Sequence, residues 1–95
     1  MTWSVEVACT GSQTSGWTCF VAICDGGAAS EHEVRVSAAD LARLAPGAAD
    51  PTDLVERSFA FLLEREPPSS VLRRFDLPVI DRYFPDYEAT IRRSG

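Results

Sequence analysis

The first third of the chain alternates apolar and polar side chains with a period of two. Trp3, Val5, Val7 and Cys9 share one parity, as do Trp17, Cys19, Val21 and Ile23, and His32, Val34 and Val36 form a third set. A helix has a period of 3.6, so this pattern cannot line one helical face, and it commits residues 1–36 to strands. Residues 10–16 and 25–30 are rich in Gly and Ser and predict hairpin loops. A three-stranded antiparallel meander follows, with the second strand in the middle. Phe20, Ala22 and Cys24 make the reverse face of that strand apolar too, which predicts a central strand covered on both sides. Keeping parity pairs Val7 with Cys19, Val5 with Val21, Ile23 with Val34 and Val21 with Val36. A slip of one residue would turn each set to the wrong face.

After Val36 the period changes. Ser37 followed by Asp40 is a capping-box spacing and opens a short helix through Leu41 and Leu44, which Pro46 and Gly47 end. Asp50, Pro51 and Asp53 mark a second helix start. That helix is expected to run to about Arg65. At about 100° per residue, its apolar side chains from Leu54 to Leu63 span roughly 200° of its surface, wider than one sheet requires. Either the C-terminal tail covers the second flank or another chain does. Pro67 and Pro68 break the helix, and the tail then reads as short helical pieces interrupted by Pro78 and Pro85. Its many large apolar residues predict that it docks. The fold class expected is α+β: a three-stranded antiparallel β-meander followed by a long amphipathic helix and a docked, proline-broken helical C-terminal tail. A single domain spans 1–95, with the meander at 1–36, a helical region at 37–65 and the helical tail at 66–95.

Residues 58–87 carry the pattern FxFLLEREPxxSxLxxFDLxxIxxYFPxY, from Phe59 to Tyr87. In this the chain resembles a group of short bacterial proteins without an assigned activity, over roughly its whole length. The resemblance implies a shared fold and carries over no functional residue.

Charge narrows the function classes. The chain has 9 basic and 14 acidic side chains and a net charge of −5, which argues against nucleic-acid and membrane-surface binding. All the basic residues are Arg. Residues 71–84 have the rhythm of two short helices, but residues 68–95 hold five Arg against four acids, a thin excess for a DNA- or RNA-binding face. No run reaches the ~20 apolar residues of a membrane span, and no signal-peptide pattern is visible, so a cytoplasmic location is expected. Cys9, Cys19 and Cys24 lack metal-site spacing and read as small buried hydrophobes, with a cross-strand Cys9–Cys19 disulfide as the alternative. His32 is the one histidine and reads as a packed core residue.

No phosphate loop, zinc motif or nucleophile elbow is present, and no catalytic, metal or cofactor residue is assigned. The reading leans away from an enzyme, toward a small interaction or regulatory protein that forms a homodimer or binds another protein. Its candidate surface combines Phe20 on the reverse sheet face with Arg65, Arg73, Arg74 and Arg82 around the broken helix end, and Tyr83 and Tyr87 with outward hydroxyls. The alternatives are a ligand-binding or catalytic cleft between sheet and tail, near His32 or Arg73 and Arg74 beside Trp3 or Trp17, and weak nucleic-acid binding through the tail.

Overall fold

The structure, a computed structural model, describes residues 4–25 and 28–94. One sheet contains β1 (Ser4–Ser12), β2 (Gly16–Asp25), β3 (Ala28–Val36) and β4 (Arg74–Asp76), side by side in that order. The first three are antiparallel neighbours, and β4 lies parallel to β3. The helices are α1 (Ala38–Leu44), α2 (Thr52–Leu63), α3 (Val79–Tyr83) and α4 (Tyr87–Ser94), with a 3-10 turn at Pro68–Ser70. The architecture is α+β with a four-stranded mixed sheet. This corrects the expected three-stranded antiparallel meander, long helix and helical tail, because the tail supplies a parallel fourth strand and the helical part is four separate helices. Glu33 N–H donates to the Arg73 carbonyl (2.7 Å) and Leu77 N–H to the Arg35 carbonyl (2.9 Å), so β4 satisfies the far edge of β3. Three residues are too few to show a period, which hides such a strand from periodicity.

The parity of the strands holds, but their register differs from the expected one. Val7 faces Val21, Cys9 faces Cys19, Cys19 faces Val34 and Trp17 faces Val36. The first ladder is displaced by two residues and the second by four. The cause is tighter turning. β1 continues to Ser12 and β2 begins at Gly16, so much of the Gly/Ser-rich stretch is strand. Gly11 permits this: its φ is +136°, and a Cβ there would meet the Gly16 carbonyl oxygen at 2.1 Å. At the other end β2 and β3 pair as far as Asp25 and Ala28. The Gly26–Gly27 turn and Trp3 lie outside the described residues.

The displaced register places Cys9 and Cys19 directly opposite each other, with Cα atoms 4.0 Å apart, and they form a disulfide. The expectation of three free buried thiols is therefore corrected. Cys24 is a free thiol but is exposed on the reverse face.

All helices pack on the face formed by the odd residues of β1 and β2 and the even residues of β3. Cys19, Val21, Ile23, Val34 and Val36 are buried there beneath Val55, Phe59 and Leu62 of α2. The Ser37 hydroxyl accepts the Asp40 N–H and starts α1. Asp50 accepts the Thr52 N–H at 2.9 Å ahead of α2, and that bond holds its carboxyl below the ordinary aspartate value. The wide apolar arc of α2 is covered within the chain: Phe61 meets Phe84 and Tyr87 edge-on, with ring centroids 5.8 and 5.4 Å apart.

The disulfide links cysteines ten residues apart, and releasing that constraint on the unfolded chain should cost about 2–3 kcal/mol. Thermal melts with and without reductant should differ accordingly. Alkylation of the unreduced protein followed by intact-mass measurement should label one cysteine; labelling of all three would refute the bridge.

Candidate functional site

Among the described residues, none covers the face of the sheet turned away from the helices. The pairing lays its side chains out in rows across the strands. One row reads Ala8, Phe20, Glu33, Arg74 and the next reads Glu6, Ala22, Glu31. Phe20 is 51% exposed at the centre of this face. The expectation that β2 is covered on both sides is thus corrected: it is central but covered on one side. Its reverse side tolerates water because only Phe20 is large among Thr18, Phe20, Ala22 and Cys24.

A shallow depression of about 730 Å³ lies on this face, bordered by Glu6, Ala8, Phe20, Glu31, Arg73 and Arg74. The Arg74 guanidinium is 3.6 Å from the Glu33 carboxylate, so part of the charge is balanced locally. Glu6 and Glu31 stand on either side of Ala22 in one row. Like charges in one row, next to an exposed aromatic ring, leave that end of the face anionic.

The structure brings only three of the expected surface residues together: Phe20, Arg73 and Arg74. Arg65 is a clamp. Its guanidinium lies 3.7 Å over the Phe61 ring, donates to the Phe61 carbonyl (3.1 Å) and reaches Asp86 at 3.3 Å. Arg82 borders a separate polar hollow near the β1–β2 turn, with Arg35 and Asp76. Tyr83 is 66% exposed on the rim of an apolar cleft of about 360 Å³ formed with Leu62, Leu72, Phe75 and Phe84. Tyr87 is fully buried, which corrects its expected outward hydroxyl. That hydroxyl lies 2.6 Å from Ser58 Oγ, which in turn donates to the Leu54 carbonyl at 2.8 Å. The helical rhythm read over residues 71–84 resolves into a coil segment, β4 and the five-residue α3, so no recognition-helix pair exists there.

Sequence reasoning missed Glu6, Ala8, Glu31 and Glu33. The signal was available in the parity that singled out Phe20, since these residues share its face.

His32 is buried at 3% exposure with its ring 5.5 Å from that of Phe59. Nδ1 donates to the Leu72 carbonyl at 2.7 Å, and Nε2 lies 3.0 Å from Ser30 Oγ. A serine beside an oriented imidazole has the layout of a nucleophile and its base. Here both ring nitrogens are engaged, and none of the three hollows named above has Ser30 in its wall. The arrangement ties β3 to the segment before β4.

Among the described residues, no His, Cys, Asp and Glu group could hold a metal ion, and no helix is long and apolar enough to cross a membrane. Compared with known proteins, the chain matches no family model, curated protein or solved structure.

Burial pushes the Tyr87 hydroxyl from an ordinary 10.0 up to about 12, partly offset by its bond to Ser58. The folded-state value lies above the unfolded one. The associated stability is therefore complete below pH 10 and falls away as pH rises toward 12, by about 2–3 kcal/mol in all. Urea melts from pH 9 to 11.5 should show this decline, and Tyr87→Phe should flatten it. Ser58→Ala leaves the phenol without its partner and should cost about 1–3 kcal/mol at neutral pH.

Proposed function

We propose that this chain is a non-enzymatic interaction protein that binds another protein on the uncovered face of its sheet. The observation that carries this reading is Phe20, half exposed in the middle of a flat face whose apolar centre is flanked by Glu6 and Glu31. An exposed aromatic ring within a polar rim is the usual anatomy of a docking surface. The charge states what fits: a bulky apolar side chain set beside basic ones.

A different protein suits this surface better than a second copy. The wide arc of α2 needs no second copy, because Phe84 and Tyr87 of the tail pack against Phe61. Two copies would also bring together chains of net charge −5. The Cys9–Cys19 bridge favours an oxidising compartment over the cytoplasm as the place where this binding occurs.

The probe is a short synthetic peptide of sequence Val-Trp-Val-Arg-Val, titrated into isotope-labelled protein and followed by NMR. Shifts should centre on Phe20, Ala8 and Ala22. Phe20→Glu should weaken binding at least tenfold with little change in melting temperature, because the side chain lies outside the core. Equal binding by Phe20→Glu, or equal binding of a Val-Trp-Val-Glu-Val peptide, would overturn the reading.

A further inference from the structure

Among the described residues, β1 has a strand neighbour on its β2 side only. Which of its backbone groups face the open side follows from the ladder. In an antiparallel pair, opposed residues alternate between closely spaced positions that do not hydrogen-bond each other and wider ones that do. Cys9 and Cys19, with Cα atoms 4.0 Å apart, are of the closely spaced kind. With a period of two, Val5, Val7 and Cys9 therefore turn their N–H and C=O groups away from β2, while Glu6, Ala8 and Thr10 bond to it. The far side of the sheet supports this phase. Carrying the alternation across β2 and β3 requires Glu33 and Arg35 to face β4, and their backbone groups do bond to Arg73 and Leu77.

The open edge thus includes Val5, Val7 and Cys9, alternate residues that each turn one donor and one acceptor outward. The strand is nine residues long. Lys and Pro, which commonly protect such edges, are absent from it. The other edge, β4, is only three residues long.

We propose that β1 takes up an extended segment of the partner protein as a fifth strand, an inference that rests on the face reading above. The incoming strand runs antiparallel to β1, and its residues opposite Val5, Val7 and Cys9 exchange backbone hydrogen bonds with them. Its side chains on the uncovered face then stand beside Glu6 and Ala8. A basic residue fits opposite Glu6. A bulky apolar residue two positions away fits opposite Ala8, whose methyl leaves the Phe20 ring, one strand further in, within reach. Side chains directly opposite lie about 5 Å apart and large ones reach the next neighbour. The partner segment is therefore extended, with a basic and a bulky apolar side chain two residues apart on one face. A second copy of β1 would place neither opposite the pair, since its own uncovered residues are Ser4, Glu6, Ala8 and Thr10.

Amide hydrogen exchange residue by residue tests this with the same Val-Trp-Val-Arg-Val peptide, whose order sets Arg opposite Glu6 and Trp opposite Ala8 in an antiparallel pairing. In the free protein the Val5, Val7 and Cys9 amides should exchange quickly, and saturating peptide should slow them at least tenfold. Glu6 and Ala8 should be slow throughout. A version N-methylated at its valines keeps every side chain but loses the donors facing β1, and it should not bind. If the plain peptide binds in a Phe20-dependent way while the three amides stay fast, or if the N-methylated peptide binds equally well, strand addition fails and the face reading stands. If neither peptide binds, both fail. Protection of those amides that grows with protein concentration, without peptide, would assign the edge to a second copy and overturn the proposal.

Discussion

The fold depends on β2. Among the described strands it alone has full-length neighbours on both sides, and its odd residues Trp17, Cys19, Val21 and Ile23 all lie in the core. Cys19, Val21 and Ile23 are at most 1% exposed, and burial of a Val or Ile side chain contributes about 1.5–3 kcal/mol. The same strand holds β1 through its ladder and through the Cys9–Cys19 bridge, and it carries Phe20 on its reverse side. Packing, cross-link and candidate surface are therefore set by one register. Moving β2 by one residue would exchange the core set for the Phe20 set.

Parity was legible in the sequence and register was not. The odd–even pattern tells which side chains share a face, because that depends only on the strand period. Pairing depends on where the chain turns, and Gly11 hid this by sitting inside β1 while looking like loop. The Ser37 cap of α1 was legible because capping is local. β4 was not, since its place is decided by the unpaired edge of β3, thirty or more residues away in sequence. Tyr87 was misplaced for a related reason. Its hydroxyl suggested solvent, and only the tertiary structure supplies Ser58 as the partner that lets it be buried. The uncovered face was half legible: Phe20 stood out alone, whereas its acidic neighbours needed the register.

The arginines show how little a residue type says without its contacts. Arg43 reaches Asp40, Asp81 and Glu88, linking α1 to α3 and α4. Arg57 bonds Asp53 and the Ile91 carbonyl, linking α2 to α4. Arg65 caps the Phe61 ring and reaches Asp86. Single surface pairs of this kind contribute little, but each of these guanidiniums bonds to more than one helix or turn and so orients the helices relative to one another. Arg73 and Arg74 stand at the edge of the uncovered face, where Arg74 sits against Glu33, and Arg35 lies on the same face in the row of Thr18 and Asp76.

The openness of that face follows from α2. A helix with an apolar arc of roughly 200° needs two partners, and the sheet supplies only one. The second must come from the tail, so Phe84, just after α3, and Tyr87 of α4 pack against Phe61, which keeps this part of the tail on the helix side of the sheet. The single short strand left over extends the β3 edge, which leaves β1 as the long free edge. Among the described residues no element is left to cover Phe20 or to pair with Val5, Val7 and Cys9. The open face and the open edge are thus two consequences of one packing requirement, and they adjoin at Ala8, whose side chain lies on the face beside Phe20 while its flanking residues Val7 and Cys9 offer their backbone to the edge.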